Sequence, residues 1–447
     1  MILLLGGCNN NSSNSETKVN KLENSKKQTV SMKMYVYSYD KRTLNAIDDF
    51  NYTSEVKIKP ILLNDENDGK QYREKIVASI LSGDGPDIIL DSAYWFPALW
   101  KVAGNSAFLD LNETIQKDKE FKLANYRENV MDAGIIDGKR YFMPLGLDIP
   151  LLWTTDKLLQ QSGIQINGNK FTWNDFEKYA LQSTNNISKD SKKYFVGFDF
   201  NFADILKSSW SKWVDLRNKK SYFDSTEFIN TLEMYKKIYP TICPNEELVQ
   251  FPGLHFDMLE NKSLLIVDGS SEASPYQLWS NNSIVNKRLN SKMEILSYPS
   301  IGIYEKISAQ IDRFVAIGIY SRNKNEAFNF IKLLLSEKYQ GVNTDDVYNT
   351  YAPVNKLAYE SMIKEYTSET SKNKTVMWKQ QDYMSVPIPK ELISKTDTYI
   401  NSMNFEFMDV NIVDIVDIEV KAYISGKQDA KQTAKSINGK VTLYLNE

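Results

Sequence analysis

The amino-acid sequence predicts an α/β protein with more than one domain. The chain has 447 residues, and a single hydrophobic core rarely grows beyond about 250–300 residues, so two domains are expected. Short apolar segments alternate with amphipathic ones in the first third, a pattern typical of βαβ units. The run Asp87–Leu90 is almost wholly apolar, as in strands that helices cover on both faces. Sheets of this class bind ligands outside the carboxyl ends of their strands.

The composition argues against several classes of function. Lys and Arg number 54, and Asp and Glu number 57. The chain therefore lacks a basic excess, and no nucleic-acid partner is expected. His255 is the single histidine, which argues against a histidine-rich zinc site and against most catalysis by imidazole. Cys8 and Cys243 could form at most one disulfide, and we expect Cys243 to be a buried thiol. Neither a metal nor a cofactor is expected.

The N-terminal segment carries the features of a bacterial lipoprotein. Leu5-Gly6-Gly7-Cys8 looks like a lipobox, the signal in which the cysteine is acylated after peptide cleavage. Met1, four further apolar residues and no Lys or Arg precede the glycines. Since a signal peptide has a basic start and roughly 7–15 apolar residues, we expect the gene product to begin upstream. Residues 1–8 are then a signal remnant. Residues 9–29, mostly Asn, Ser, Lys and Glu, are a predicted disordered tether.

Folding is predicted to begin at Val30. Apolar and polar residues alternate over 30–36, which indicates a strand, and Tyr39 and Asp40 follow its carboxyl end. The next predicted elements are a helix near 42–50, a strand over 56–63, a polar loop over 64–69 and a helix from residue 71. Gly83 and Gly85 are expected to end that helix, and the chain then enters the strand Asp87–Leu90.

The residues after this strand are the predicted centre of a binding site. Asp91-Ser92-Ala93 is expected to cap a following helix, which places Asp91, Tyr94 and Trp95 together at the carboxyl end of the strand. Two aromatic rings beside a carboxylate would suit a sugar, because apolar ring faces stack on the C–H faces of pyranoses.

Periodicity also predicts the later elements. Thr172 is expected to cap a helix that buries Trp173. The others are helices over 208–216 and 225–239, a helix ending near 261, a strand over 263–268 with the turn Gly269–Glu272, strands over 294–299 and 314–319, and helices over 325–335, 412–423 and 430–445.

Several segments, in order, resemble landmarks of the family 1 extracellular solute-binding proteins, the capture subunits of bacterial ABC importers. The maltose-binding protein is the familiar member. The segments are SGDGPDI with the aromatic stretch and FLDLNE after it, DGKRYFMP at 137–144, LLWTTDKL at 151–158 and FVAIGIYSRNKNEAFNFIKLLLSEKYQ at 314–340. In the third segment, Trp-Thr-Thr stands where the family usually has Tyr-Asn-Lys.

The resemblance implies a two-lobed periplasmic-binding-protein-like fold, each lobe a mixed sheet flanked by helices, with several hinge crossings. The crossings are expected near 147–151, 296–300 and 351–354. The first lobe would comprise 30–148 and 297–350, and the second 149–296 and 351–447. The resemblance further implies a carbohydrate ligand, more narrowly an oligosaccharide, and delivery to the transmembrane permease of an ABC transporter. The protein would be a monomer, lipid-anchored at the extracellular face of the cell membrane.

The candidate ligand contacts are polar, charged or aromatic residues expected to face the cleft: Tyr39, Asp40, Asp91, Tyr94, Trp95, Asp148, Trp210, Ser271, Glu272 and Arg313. A carboxylate can accept two charge-assisted hydrogen bonds from hydroxyls. Arg313 could reach a ligand or form an ordinary surface salt bridge. Trp100 and Trp173 are expected in the core, whereas Trp153, Trp213 and Trp279 could be core residues or ligand contacts.

The sequence lacks the motifs of common enzyme classes. It contains no HExxH, CxxC, GxxxxGK[ST] or GxGxxG, so the protein is expected not to be an enzyme. Two alternatives stay open. Paired carboxylates among Asp91, Asp148, Asp268 and Glu272 would suit a secreted glycoside-active enzyme. A lipoprotein without ligand-dependent closure would instead serve in adhesion or as a scaffold.

Overall fold

The computed structural model describes most of the chain after residue 29. The described residues are 30–36, 41–62, 69–96, 98–105, 107–164, 166, 171–185, 194–197, 200–244, 256, 259, 263–268, 274–302, 305–311, 313–341, 352–378 and 381–447.

The strands have these bounds in chain order: β1 Ser31–Val36, β2 Lys57–Leu62, β3 Ile88–Ser92, β4 Ile135–Ile136, β5 Lys139–Arg140, β6 Phe142–Pro144, β7 Gly146–Asp148, β8 Leu151–Thr155, β9 Tyr194–Val196, β10 Val214–Asp215, β11 Lys220–Ser221, β12 Ser263–Asp268, β13 Met293–Ser297, β14 Ser308–Ile311, β15 Arg313–Ile317, β16 Ala352–Pro353, β17 Thr375–Trp378, β18 Gln381–Met384 and β19 Asn404–Glu406.

The α-helices have these bounds: α1 Lys41–Thr53, α2 Gly69–Leu81, α3 Leu99–Gly104, α4 Asn112–Lys117, α5 Glu128–Met131, α6 Asp156–Ser162, α7 Trp173–Asn185, α8 Phe202–Ser208, α9 Trp210–Trp213, α10 Thr226–Ile238, α11 Pro275–Leu289, α12 Lys324–Leu334, α13 Glu337–Gln340, α14 Lys356–Thr367, α15 Lys390–Ser402, α16 Val410–Ile424 and α17 Ala430–Asn446.

The first lobe is built on a five-stranded mixed sheet with the order β2-β1-β3-β15-β6. β1 is parallel to β2 and β3, whereas β15 runs antiparallel to β3 and β6. Ile88 to Asp91 of the central strand are all buried, which explains why this run is almost wholly apolar. Gly83 ends the preceding helix with a φ of 77°, a left-handed conformation that glycine adopts without steric cost.

The second lobe is built on a four-stranded sheet with the order β13-β8-β12-β9. β8 is antiparallel to both β13 and β12, and β12 is parallel to β9. The five residues of β8, Leu151–Thr155, are all buried. Like β3, this strand therefore occupies an interior position and reads as a largely apolar run.

A third sheet, with the order β16-β7-β14-β19, links the two lobes. β6, β7 and β8 follow one another along the chain and belong to the first, third and second sheets. β13, β14 and β15 return through the same sheet in the opposite direction. Since two separate connections pass between the lobes here, this sheet is the hinge of the two-lobed fold.

Most of the elements expected from periodicity are confirmed. The strand over 263–268 has the expected bounds, and the helix expected over 325–335 occupies Lys324–Leu334. The Thr172 hydroxyl accepts a hydrogen bond from the Asp175 backbone N–H at 3.3 Å, which confirms the predicted cap. The loop over 64–69, the helix ending near 261 and the turn Gly269–Glu272 lie wholly or almost wholly outside the described residues.

Two expected helices are wrong. Asp91-Ser92-Ala93 does not cap a helix, because β3 continues to Ser92 and the chain then turns; the next helix begins only at Leu99, after Ala98 with a φ of 45°. The helix expected over 208–216 instead begins at Phe202 and is interrupted at Ser209. Its start is set by a capping box between Asn201 and Asp204.

Candidate functional site

The turn after β3 presents two aromatic rings. The Phe96 backbone N–H donates to the Ser92 carbonyl at 3.1 Å, which closes the turn. The Phe96 ring is buried and packs edge-on against Phe314 of β15, with 5.3 Å between the ring centroids. Because Phe96 takes the inward position, Tyr94 is half-buried and Trp95 half-exposed on this turn, edge to face, with their ring centroids 4.8 Å apart.

Trp95 is the exception among the tryptophans. Half of its surface, 50%, is exposed. The other tryptophans whose side chains the structure describes are all buried: Trp100, Trp153, Trp173, Trp210, Trp213 and Trp279. Burial confirms the expected core positions of Trp100 and Trp173. Within the described side chains, Trp95 is therefore the one indole available to stack on a ligand.

Asp91 is buried rather than open to solvent. Its Oδ1 accepts a hydrogen bond from the Ser92 backbone N–H at 2.7 Å. In the pairing of β3 with β15, Asp91 lies opposite Phe314, and Ser92 lies opposite Arg313. Since neighbouring residues of a strand point to opposite faces, Asp91 and Arg313 lie on opposite faces of this sheet. The structure thus places Asp91 beneath the aromatic turn and does not bring it together with Arg313.

Asp148 lies in the hinge sheet. It is the last residue of β7, opposite Gln310 of β14, and is half-buried. Arg313 is the first residue of β15 in the first sheet. Its carbonyl oxygen accepts a hydrogen bond from the Leu145 backbone N–H at 2.8 Å. Both residues therefore lie on the connections between the lobes. Tyr39, Asp40, Ser271 and Glu272 lie outside the described residues.

The second lobe contributes side chains that sequence reasoning missed. Lys207 of α8 places its Nζ 4.7 Å from the centroid of the Tyr94 ring, a cation–π contact between the lobes. Burial, and then the negative charges of Asp414, Asp204 and Asp417, raise the pKa of Tyr94 to about 12. The aromatic turn therefore faces one ammonium and several carboxylates carried by α8 and α16.

The Asp204 carboxyl has a pKa above its ordinary value. Burial raises the pKa of its carboxyl to about 6, against the opposing effects of Lys207 and of the Asn201 backbone N–H. That N–H donates to Asp204 Oδ2 at 2.8 Å. The spacing Asn201-x-x-Asp204 is a sequence signature of a helix start and could have located α8. Nothing local in the sequence indicates that the helix faces Tyr94.

Trp210 lies in a different place from Trp95. It is 1% exposed and lines a cavity of about 930 Å³ between the two lobes. Tyr94, Trp95 and Lys207 do not line that cavity. Trp210 and Trp213 are three residues apart on the short helix α9 and both are buried, so they occupy one inward face.

The described ranges hold no cluster of three or more His, Cys, Asp and Glu side chains placed to bind a metal ion. They also hold no helix with the length and apolar character needed to cross a lipid bilayer. Cys243 is buried, as expected, and its thiol lies 3.9 Å from the Pro244 carbonyl oxygen.

Comparison of the sequence with known families gives a match over residues 44–341, about two thirds of the chain, to the bacterial extracellular solute-binding proteins. The chain belongs to this family. Its members bind solutes outside the cell, as the family description states, which fits a cleft between two lobes.

Solved structures of extracellular solute-binding proteins share this fold. The sugar-binding protein MalE from the phytopathogen Xanthomonas citri has a TM-score of 0.66 at 14% identity, covering 93% of this chain and 98% of its own. A sugar transporter from Rhizobium etli in an open conformation has a TM-score of 0.64 at 16% identity, covering 92% and 99%. An ABC substrate-binding protein from Listeria monocytogenes in complex with cycloalternan has a TM-score of 0.62 at 15% identity, covering 94% and 99%.

Proposed function

We propose that this solute-binding protein captures a carbohydrate, more narrowly an oligosaccharide, between its lobes and delivers it to the permease of an ABC transporter. The single observation that carries the proposal is the aromatic turn of the first lobe facing Lys207 and the carboxylates of the second. Trp95 offers an exposed indole for the C–H face of a sugar ring. Carboxylates are the acceptors that bind pairs of hydroxyls. The cycloalternan bound by the Listeria monocytogenes protein, and the description of the Xanthomonas citri protein as sugar-binding, agree with this chemistry.

Closure follows from where the binding groups lie. Tyr94 and Trp95 belong to the first lobe, and Lys207 and Asp204 belong to the second. A ligand that touches both walls binds the closed arrangement better than the open one, so it shifts the population toward closure. Asp148 and Arg313, on the lobe connections, would complete the polar floor. The expected lobe bounds and the monomeric state belong to the same proposal.

Lipid anchoring through Cys8 is the second part of the proposal. The Leu-Gly-Gly-Cys motif followed by a polar tether supports it. The full-length gene product should fractionate with membranes, and Cys8→Ala should release it. Membrane association that survives Cys8→Ala with the signal peptide cleaved would contradict the anchor, while leaving the proposed ligand untouched.

The test of ligand capture combines scattering with product analysis. A panel of neutral oligosaccharides should contain one that reduces the radius of gyration and raises the melting temperature by mass action. The same sugar should be recovered unchanged after long incubation. Asp204 makes this control necessary, because a carboxyl with a pKa of about 6 is typical of a general acid. Cleavage of the sugar would favour the glycoside-active alternative.

A further inference from the structure

The cavity beside Trp210 has walls from both lobes. Its volume is about 930 Å³, within the range of roughly 300–1,000 Å³ that small-molecule sites occupy. Helix α3 and the turn at Asp137 form the first-lobe wall, the β10–β11 hairpin with Arg217 and Tyr222 forms the second-lobe wall, and Glu406 of the hinge strand β19 forms part of the floor.

Glu406 supplies a hydrogen-bond acceptor in this cavity. Its Oε1 accepts from the Ser308 hydroxyl at 2.7 Å and from the Asn404 amide at 2.8 Å. Burial raises the pKa of this carboxyl. The Ser211 hydroxyl also hydrogen-bonds to this carboxyl. An ionised carboxylate has about four acceptor sites, so Glu406 retains capacity for a further donor. A hydroxyl brought to this carboxylate would relieve part of its desolvation.

The charges around the cavity are of mixed sign and favour a neutral occupant. Lys101, Asp215, Lys219 and Glu447 line it together with Asp132, Asp137, Arg217 and Glu406. At the mouth, Asp137 pairs with Arg217, with 3.0 Å between Oδ1 and Nε. On the first-lobe wall, Asp132 pairs with Arg140 at 2.9 Å. A charged ligand would have to compete with these pairs for its counterion, whereas a hydroxyl can donate to Glu406 without disturbing either.

Aromatic and aliphatic side chains supply the apolar part of the wall. Trp100, Phe405 and Phe407 line the interior with little exposed surface, and Ile135 and Tyr222 are exposed at the opening. Apolar faces together with one buried acceptor match a molecule with C–H faces and hydroxyl edges.

We propose that this cavity is a second binding site, separate from the cleft at Trp95, for a neutral polyhydroxylated molecule of mono- to trisaccharide size. Glu406 accepts a hydroxyl of the occupant, and Tyr222 and Ile135 cover its C–H face. Because both lobes and the hinge strand line the site, its occupancy depends on the angle between the lobes. By linkage, if occupancy of this cavity changes the affinity of the cleft for its ligand, then occupancy of the cleft changes the affinity of the cavity by the same factor.

Calorimetric titration of the full chain with maltose, maltotriose and raffinose tests the proposal. At least one of these sugars should bind in an event that Glu406→Gln weakens at least tenfold, the effect of losing a hydrogen bond to a charged group. Tyr222→Ala should weaken the same binding event. This second variant changes the opening of the cavity and leaves the hinge sheet intact, so its effect does not depend on the folding of that sheet. Glu391→Gln, on an exposed helix position, is the matched control and should change nothing.

The variant Trp95→Ala distinguishes binding at the cavity from binding at the cleft. Binding at the cavity should persist in Trp95→Ala, whether or not binding at the cleft is weakened. If no sugar of the panel produces an event that is sensitive to Glu406→Gln or Tyr222→Ala, the second site is wrong. Loss of every event in Trp95→Ala would also overturn it, and would leave the proposed cleft standing.

Discussion

Trp95 and Trp210 lie in opposite lobes and have opposite environments. Trp95 sits on a turn whose inward position is taken by Phe96, so half of the indole faces solvent beside Tyr94. Trp210 begins a one-turn helix and shares its inward face with Trp213, so its ring is buried. Trp95 is thus available to a ligand because Phe96, rather than the indole, anchors its segment in the core.

The largest expected effect comes from Trp210→Ala. Removing a buried indole leaves a cavity, so the free energy of unfolding should fall by about 3–5 kcal/mol. Trp210→Phe should retain most of the stability, because it keeps an aromatic ring in the same place. Denaturant unfolding measures both variants. A loss below about 1 kcal/mol for Trp210→Ala would mean that the Trp210 indole is not packed in the core and does not differ from Trp95 in this respect.

Trp95→Ala should show the reverse pattern. We expect ligand affinity to fall by about 1–3 kcal/mol, the scale of burying a large apolar side chain, with little change in stability. Calorimetric titration with the sugar that causes closure, run beside a thermal melt, measures both quantities. Tyr52→Ala removes an aromatic residue from an exposed position of α1 and is the control for unspecific effects. A drop of several degrees in the melting temperature with unchanged affinity would make Trp95 a packing residue.

Asp204 adds a pH dependence to the second-lobe wall. Folding raises its pKa from an ordinary value near 4 to about 6, so ionisation of this carboxyl favours the unfolded chain. Its contribution to stability is present below pH of about 4 and is lost as the pH rises through about 6. A rise of this size in the pKa corresponds to a loss of at most about 3 kcal/mol between these limits.

Asp204→Asn isolates this contribution. The amide keeps an acceptor for the Asn201 backbone N–H but cannot ionise, so its unfolding free energy should fall less between pH 4 and pH 7 than that of the unaltered protein. Urea unfolding at the two pH values gives the difference. Identical pH dependence in both proteins would show that Asp204 has an ordinary pKa.

The smallest expected effect concerns the contact between the lobes. Lys207→Met keeps the aliphatic stem but removes the ammonium over Tyr94, and ligand affinity should fall by about 0.5–1 kcal/mol. Lys236→Met is the matched control, since Lys236 lies over Tyr423 at 4.4 Å within the second lobe. Tighter binding by Lys207→Met would show that Lys207 blocks the Tyr94 ring rather than supporting closure.

Much of the fold could be predicted from the sequence because its signals are local. The apolar run at Asp87–Leu90 and the strand Ser263–Asp268 follow from side-chain patterns within a few residues. The cap at Thr172 needs only the residues of one turn. The family landmarks are short segments in a fixed order, and the match over 44–341 confirms the family that they indicate.

The site depended on contacts that are remote in sequence. Trp95 is exposed because Phe96 packs on Phe314, and Tyr94 meets Lys207 across the cleft. Asp91 and Arg313 were both expected to contact the ligand, yet strand register sends them to opposite faces of the sheet. Most of the elements, and the family, could be predicted from the sequence, since these depend on neighbouring residues. Which side chains line the proposed cleft could not be predicted, because burial depends on what another part of the chain packs over them.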